Sequence, residues 1–121
     1  MTVQKMLAAL PVLQKMMELK LPIKKAHAIY VLAKQINEQR EFFINKEKKM
    51  IEKFNVEIGS GGNLQFKSAE DRVQFVTEHN ELMQYEVEGL KAVELSFADL
   101  GDLEITPAEM GTLDGVIIFV E

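Results

Sequence analysis

The chain has 121 residues, 47% of them hydrophobic, no cysteine and a formal net charge of −5. That composition suits one globular domain with a modest core and is too apolar for a disordered chain. Without cysteine there are no disulfides, thiolate metal sites or cysteine nucleophiles, and no apolar run approaches the ~18 residues of a membrane span.

The net charge conceals an uneven layout. Residues 1–67 carry 12 Lys and Arg against 6 Glu, whereas residues 68–121 carry 2 (Arg72 and Lys91) against 13 acidic residues. Compensation within one chain is the ordinary expectation. Head-to-tail contacts between copies, or an acidic face offered to a basic partner, are the alternatives.

Thr2 is placed to cap a first helix with apolar positions at Val3, Met6, Leu7, Leu10, Leu13, Met16 and Met17, ending near Leu19. Pro11 lies inside this pattern and either kinks the helix or divides it. The apolar stretch Met6 to Leu13 is broken by Pro11, is followed by Lys15 and lacks a small-residue cleavage site. No signal peptide is therefore expected, and the chain reads as cytoplasmic. The methionines of this helix read as adaptable core filler.

After the Lys20-Leu21 turn, one long helix is predicted from Pro22 to Phe54, with Pro22 in its first turn and no Gly or Pro inside. Its stripe is Ile23, Ala26, Ile29, Tyr30, Ala33, Ile36, Phe43, Ile44, Met50, Ile51 and Phe54, thinning where Asn37 and Arg40 stand. At ~1.5 Å per residue such a helix spans roughly 50 Å, longer than a compact domain of this size. An elongated molecule, or one whose helix is covered by another chain, is implied. The lysines at 46, 48, 49 and 53 are interspersed with Glu47 and Glu52 and lack an aromatic platform, so they read as a solvated surface and not a nucleic-acid site.

Asn55–Ile58 and Leu64–Lys67 alternate around Gly59-Ser60-Gly61-Gly62-Asn63, the pattern of a β-hairpin. A phosphate-binding loop would lead directly into a helix N-terminus, and here strand-like residues intervene. Ser68 caps a third helix expected to reach Glu88, with Gly89 beyond it. Its predicted stripe is Val73, Val76, Met83, Val87 and Leu90, flanked by Phe75 and Leu82, and Asn80 falls inside it. A lone Asn in a helical seam can fix register between helices, although more often it edges a buried face.

From Ala92 to Phe97 the pattern alternates, with Val93, Leu95 and Phe97 on one side. Thr106-Pro107-Ala108-Glu109 is a capping box with proline at the first position, opening a short helix that stops by Leu113. Val116–Val120 is a continuous strand-forming run, buried on both faces or an edge that another copy covers. The fold class is mainly α with a small β element (α+β): antiparallel helices around one long helix, a β-hairpin and a short C-terminal sheet. A single domain is expected, built as a helical hairpin (1–54), a β-hairpin (55–67), a third helix (68–90) and an acidic tail (91–121).

Chemistry is hard to place. His27 and His79 lie on different helices without a metal-type partner at helical spacing; a site of His79, Glu86 and a long-helix residue is conceivable, against an ordinary acidic face. No nucleophile, Rossmann or phosphate-loop motif occurs, so no catalytic residue, metal ligand or cofactor is nominated.

The order of Lys20-Leu21-Pro22-Ile23-Lys24, a helix with Ala26, Tyr30 and Lys34 ending in Ile51-Glu52-Lys53-Phe54, then Glu81-Leu82-Met83, Val93-Glu94-Leu95 and Leu103-Glu104-Ile105-Thr106-Pro107, resembles small proteins of unknown function from tailed bacteriophages and prophages. The resemblance implies an accessory or assembly protein inside a bacterial host cell and carries over no functional residue. The leading expectation is a non-enzymatic protein that self-associates, with another phage or host protein as a further candidate partner and with Arg40, Phe43, Asn80, Val116, Ile118 and Val120 as interface candidates. The rival is a small-molecule or nucleotide binder whose site, between subunits, is lined by long-helix lysines and the Gly59–Asn63 loop.

Overall fold

The computed structural model describes all residues, Met1–Glu121. The chain is an α+β fold in which helices pack around one long helix and two separate two-stranded sheets are added. Helix α1 spans Val3–Met16, with the Thr2 hydroxyl accepting from the Lys5 N–H at 3.2 Å. It runs unbroken through Pro11, which lies on the exposed face, where water can take the carbonyl that loses its helical donor. The opposite face buries Val3, Met6, Ala9, Leu10, Val12, Leu13 and Met16. Met6 and Met16 are core filler, while Met17 is exposed.

Helix α2 spans Ile23–Lys53, about 45 Å at the usual rise, with Pro22 immediately before it. Its buried residues, Ile29, Leu32, Ala33, Ile36 and Phe43, all lie in the first two-thirds, against α1. Ile23, Tyr30 and Ile44, expected in the stripe, face solvent. The far third carries a second, smaller cluster in which Phe54, Val56 and Phe75 are buried, with Met50, Ile51 and Phe66 against them. This cluster holds the hairpin β1 (Glu57–Ile58) and β2 (Leu64–Gln65), which are antiparallel, and one side of α3 (Ala69–Met83). A short 3-10 turn at Ser60–Gly62 forms the hairpin tip, with Gly61 and Gly62 both at positive φ.

Helix α3 ends five residues before the expected Glu88. The Tyr85 carbonyl accepts from the Val3 N–H (3.0 Å), the Val87 N–H donates to the Met1 carbonyl (2.8 Å), and the Met1 ammonium meets the Glu86 carboxylate (2.9 Å). Pairing with the start of the chain draws residues 85–87 straight, and an extended backbone cannot continue the helical ladder.

Strand β3 (Val93–Ser96) pairs in parallel with β4 (Ile117–Val120), in the register Val93↔Ile117 to Ser96↔Val120. Parallel neighbours need a long crossover, here residues 97–116, containing a 3-10 turn at Phe97–Leu100 and helix α4 at Pro107–Thr112. Val93, Leu95 and Ile117 point into the main core beneath α1 and α2. Phe97 does not continue the inward row. The strand stops at Ser96, whose N–H donates to the Asp99 carboxylate while its hydroxyl accepts from the Asp99 N–H, and Phe97 turns outward to stack on Phe119.

Two carboxylates anchor this crossover to the helices. Asp99 closes the capping box on Ser96 and accepts from the Lys25 ammonium; Glu109 closes the box on Thr106 and accepts from the Lys15 ammonium at 2.6 Å. Every ion pair in the structure joins residues 1–67 to residues 68–121: Met1–Glu86, Lys15–Glu109, Lys25–Asp99, Lys53–Glu78 and, if the imidazole is protonated, Glu47–His79. The lysine bonds, followed by the backbone N–H bonds from the caps, hold both carboxyls below their usual ionisation range.

A carboxyl whose folded pKa is depressed stabilises fully above its unfolded value, and that contribution disappears as pH falls through the lower folded value. Acid unfolding followed by circular dichroism is therefore expected to show stability falling more steeply below about pH 4 in the unaltered chain than in Asp99→Asn or Glu109→Gln. Equal slopes would mean that neither clasp contributes.

Candidate interaction surfaces

Helix α3 starts at the Ser68 cap, whose hydroxyl accepts from the Asp71 N–H at 3.1 Å, with Glu70 and Asp71 in its first turn favouring the positive helix end. Periodicity alone allowed either of two faces to be buried. The inward face is that of Phe75, 5% exposed, which meets Phe54 edge-on at 6.1 Å, Phe66 at 5.3 Å and the His79 ring stacked at 5.8 Å. The expected stripe therefore faces solvent in its first half: Val73 is 64% and Val76 46% exposed. Ala69, Val73, Val76 and Asn80 follow one another at spacings of four, three and four, so they form one straight outward seam, and all four are exposed.

The second surface is the outer side of the β3–β4 sheet. Ile118 (47% exposed) and Val120 (39%) share that face with Glu94 and Ser96, their partners in the ladder. No further strand pairs with β4. The run was expected to be buried on both faces or to be an edge strand that another copy covers; within this chain only its inner face is covered, by the main core.

The six interface candidates separate accordingly. Phe43 and Val116 are core residues of the chain itself, Phe43 meeting the Phe42 ring at 5.4 Å and the Tyr85 ring at 6.0 Å, so neither is open to a partner. Arg40 and Asn80 are exposed on α2 and α3, and Ile118 and Val120 are exposed on β4. The α3 seam as a whole escaped sequence reasoning, because the same spacing fits a buried face; the signal present was Asn80, polar within an apolar row.

An open groove of about 690 Å³ lies between the hairpin and α3, lined by Leu64, Phe66, Lys67, Ser68, Arg72 and Phe75 among others. The glycine tip stands at its edge through Asn63, but the lysines of α2 do not reach it. The conceivable metal grouping is not assembled: His79 Nε2 lies 3.1 Å from Glu47, whereas Glu86 is engaged by the Met1 ammonium, and no three His, Cys, Asp or Glu side chains converge anywhere. No helix is long and apolar enough to cross a membrane. Comparison with protein-family models, curated proteins and solved structures returns no match.

The aromatic cluster that selects the face of α3 is separate from the main core. Phe75→Ala, a type of change that typically costs about 3–5 kcal/mol in a core, is expected to speed amide exchange in α3 and the hairpin while the amides of α1 keep their protection. Uniform loss of protection across both regions would show that the smaller cluster and the main core open as one unit.

Proposed function

We propose that this chain is a non-enzymatic interaction protein that self-associates through the outward seam of α3. The observation that carries the reading is the heptad-spaced row Ala69, Val73, Val76 and Asn80, exposed on a helix whose other face is already packed. Apolar residues at this spacing match the contact row of paired helices, and one Asn in such a row favours a single register. The chain exposes 8358 Å² at a mass of 13.8 kDa, whereas a compact monomer of that mass exposes about 6,600 Å². The surplus is on the order of two sides of a standard interface at ~800 Å² each. The resemblance to small tailed-phage proteins supplies the context of an accessory or assembly role in a bacterial host cell.

Native mass spectrometry at low and high salt tests this. A defined oligomer is expected, surviving added salt because the seam is apolar, and becoming monomeric in Val73→Lys. Because Val73 is exposed, that change should shift stability by no more than about 0.5 kcal/mol. A monomer at every concentration, or an oligomer indifferent to Val73→Lys, refutes the α3 interface.

One observation favours a second reading, a small-molecule or nucleotide binder. Lys67 and Arg72 flank the rings of Phe66 and Phe75 in the hairpin groove, a pairing of cation and aromatic suited to an anionic, planar ligand. Ala69 and Val76 line the same groove, so a partner docked on the seam would form its missing wall. A nucleotide that binds should raise the thermal midpoint in proportion to its concentration, and Arg72→Ala should abolish the rise. A panel of nucleoside mono-, di- and triphosphates without any rise rejects this reading.

A further inference from the structure

The β4 edge is the second unpartnered feature, and its backbone phase can be read. The Val93 N–H donates to the Val116 carbonyl at 2.8 Å, and the register pairs Val93 with Ile117. In a parallel ladder with that phase, Ile118 and Val120 direct their N–H and C=O groups toward β3. Phe119 lies between them, so its N–H and C=O face the open side, together with the Glu121 N–H. The opposite edge of the sheet is closed at Ser96, whose N–H is taken by Asp99. Strand β4 also carries none of the devices that blunt an edge: it has no Pro, no Lys and no bulge.

Charge identifies what such an edge would take. Residues 92–121 contain seven acidic side chains and no Lys, Arg or His. Asp99 and Glu109 are neutralised from behind by Lys25 and Lys15, leaving Glu94, Asp102, Glu104, Asp114 and Glu121 outside any ion pair. Glu94 is the ladder partner of Ile118, on the solvent face, and Glu121 directly follows Val120, the last residue of the strand. A second copy of β4 would bring the same acidic surroundings against these, and like charges at close range oppose that pairing.

We propose that the β4 edge accepts, by strand addition, an extended segment of a partner protein in which apolar residues alternate with Lys or Arg. Backbone groups of the segment pair with Phe119, its apolar side chains lie beside Phe119 on the inner face, and its cations lie on the outer face, where their stems cover Ile118 and Val120 and their charges approach Glu94. Main-chain bonds supply the affinity in this mode and side-chain alternation the selectivity. The inference is independent of the α3 seam.

The test is an NMR titration of the full chain with a capped hexapeptide of alternating Val and Lys, run on the unaltered protein and on Val73→Lys. The Phe119 and Glu121 amide signals should shift and exchange more slowly with solvent, and added salt should weaken the effect. The Val-Glu counterpart, and a Val-Lys peptide N-methylated at alternate amides along either edge in turn, separate the components: the first should not bind, and methylation of one edge only should abolish binding. Ile118→Lys, at an exposed position, should weaken binding on the order of tenfold by placing a cation against the incoming one. Absence of a shift at Phe119, equal binding of the Val-Glu peptide, or indifference to N-methylation overturns the proposal. So does a Phe119 amide already protected without peptide in a dimer that Ile118→Lys dissociates, since the occupant would then be a second copy.

Discussion

A two-stranded parallel sheet cannot stand alone, and the C-terminal quarter of this protein depends on how that problem is solved. Two strands bury too little for independent stability, and parallel pairing adds the ordering of a long crossover. The crossover is therefore fixed at two points by carboxylates that do two things at once. Asp99 and Glu109 each terminate a capping box, satisfying an otherwise unpaired N–H, and each holds a lysine of the α1–α2 hairpin. Exposed ion pairs contribute little by themselves. Here the caps hold the carboxylates in place beforehand, so less side-chain freedom is lost when the lysine arrives.

The opposed charges of the two halves fit this construction. Acidic residues are supplied by the segments that dock and lysines by the helices that receive them, and the pairs span 25 to 94 positions in sequence. A basic half and an acidic half favour the closed arrangement over extended alternatives while the chain is still searching. Only part of the acidic charge is used in this way, and what remains is concentrated around β3 and β4.

What was legible in the sequence was local. The Thr106–Glu109 box, the Ser68 cap and the glycine hairpin are encoded within a few residues, and each forms where its spacing indicated. The misreadings share a non-local cause. The end of α3 is set by the first residues of the chain, more than eighty positions away. The orientation of α3 is decided by Phe75 finding Phe54 and Phe66, which outweighs two valines because an aromatic ring removes more area from water. Strand alternation ran on to Phe97 because Ser96-Phe97-Ala98-Asp99 fits a strand as well as a capping box until Lys25 and the core select between them. Phe43 and Val116 stood in apolar runs and also among the interface candidates, because the sequence could not reveal how far the main core extends along α2 and into the sheet.

The two open surfaces differ in physical kind, and the difference bears on how they are kept apart. The α3 seam is apolar and flanked by mixed charge, so it can meet its own copy without electrostatic cost. The β4 edge offers directional backbone groups, which are indiscriminate: any extended chain satisfies them. Most exposed edges are protected by interrupting the strand, but interruption would also abolish recognition. Surrounding an intact strand with carboxylates protects it in another way, repelling copies of itself while leaving the backbone groups available. Glu94 beside Ile118 is the clearest instance, since an apolar residue there would favour pairing with any strand and a lysine would reverse the preference for charge. Selectivity at this edge therefore resides in the flanking charge and not in the strand, whose Ile-Phe-Val sequence alone would bind indiscriminately.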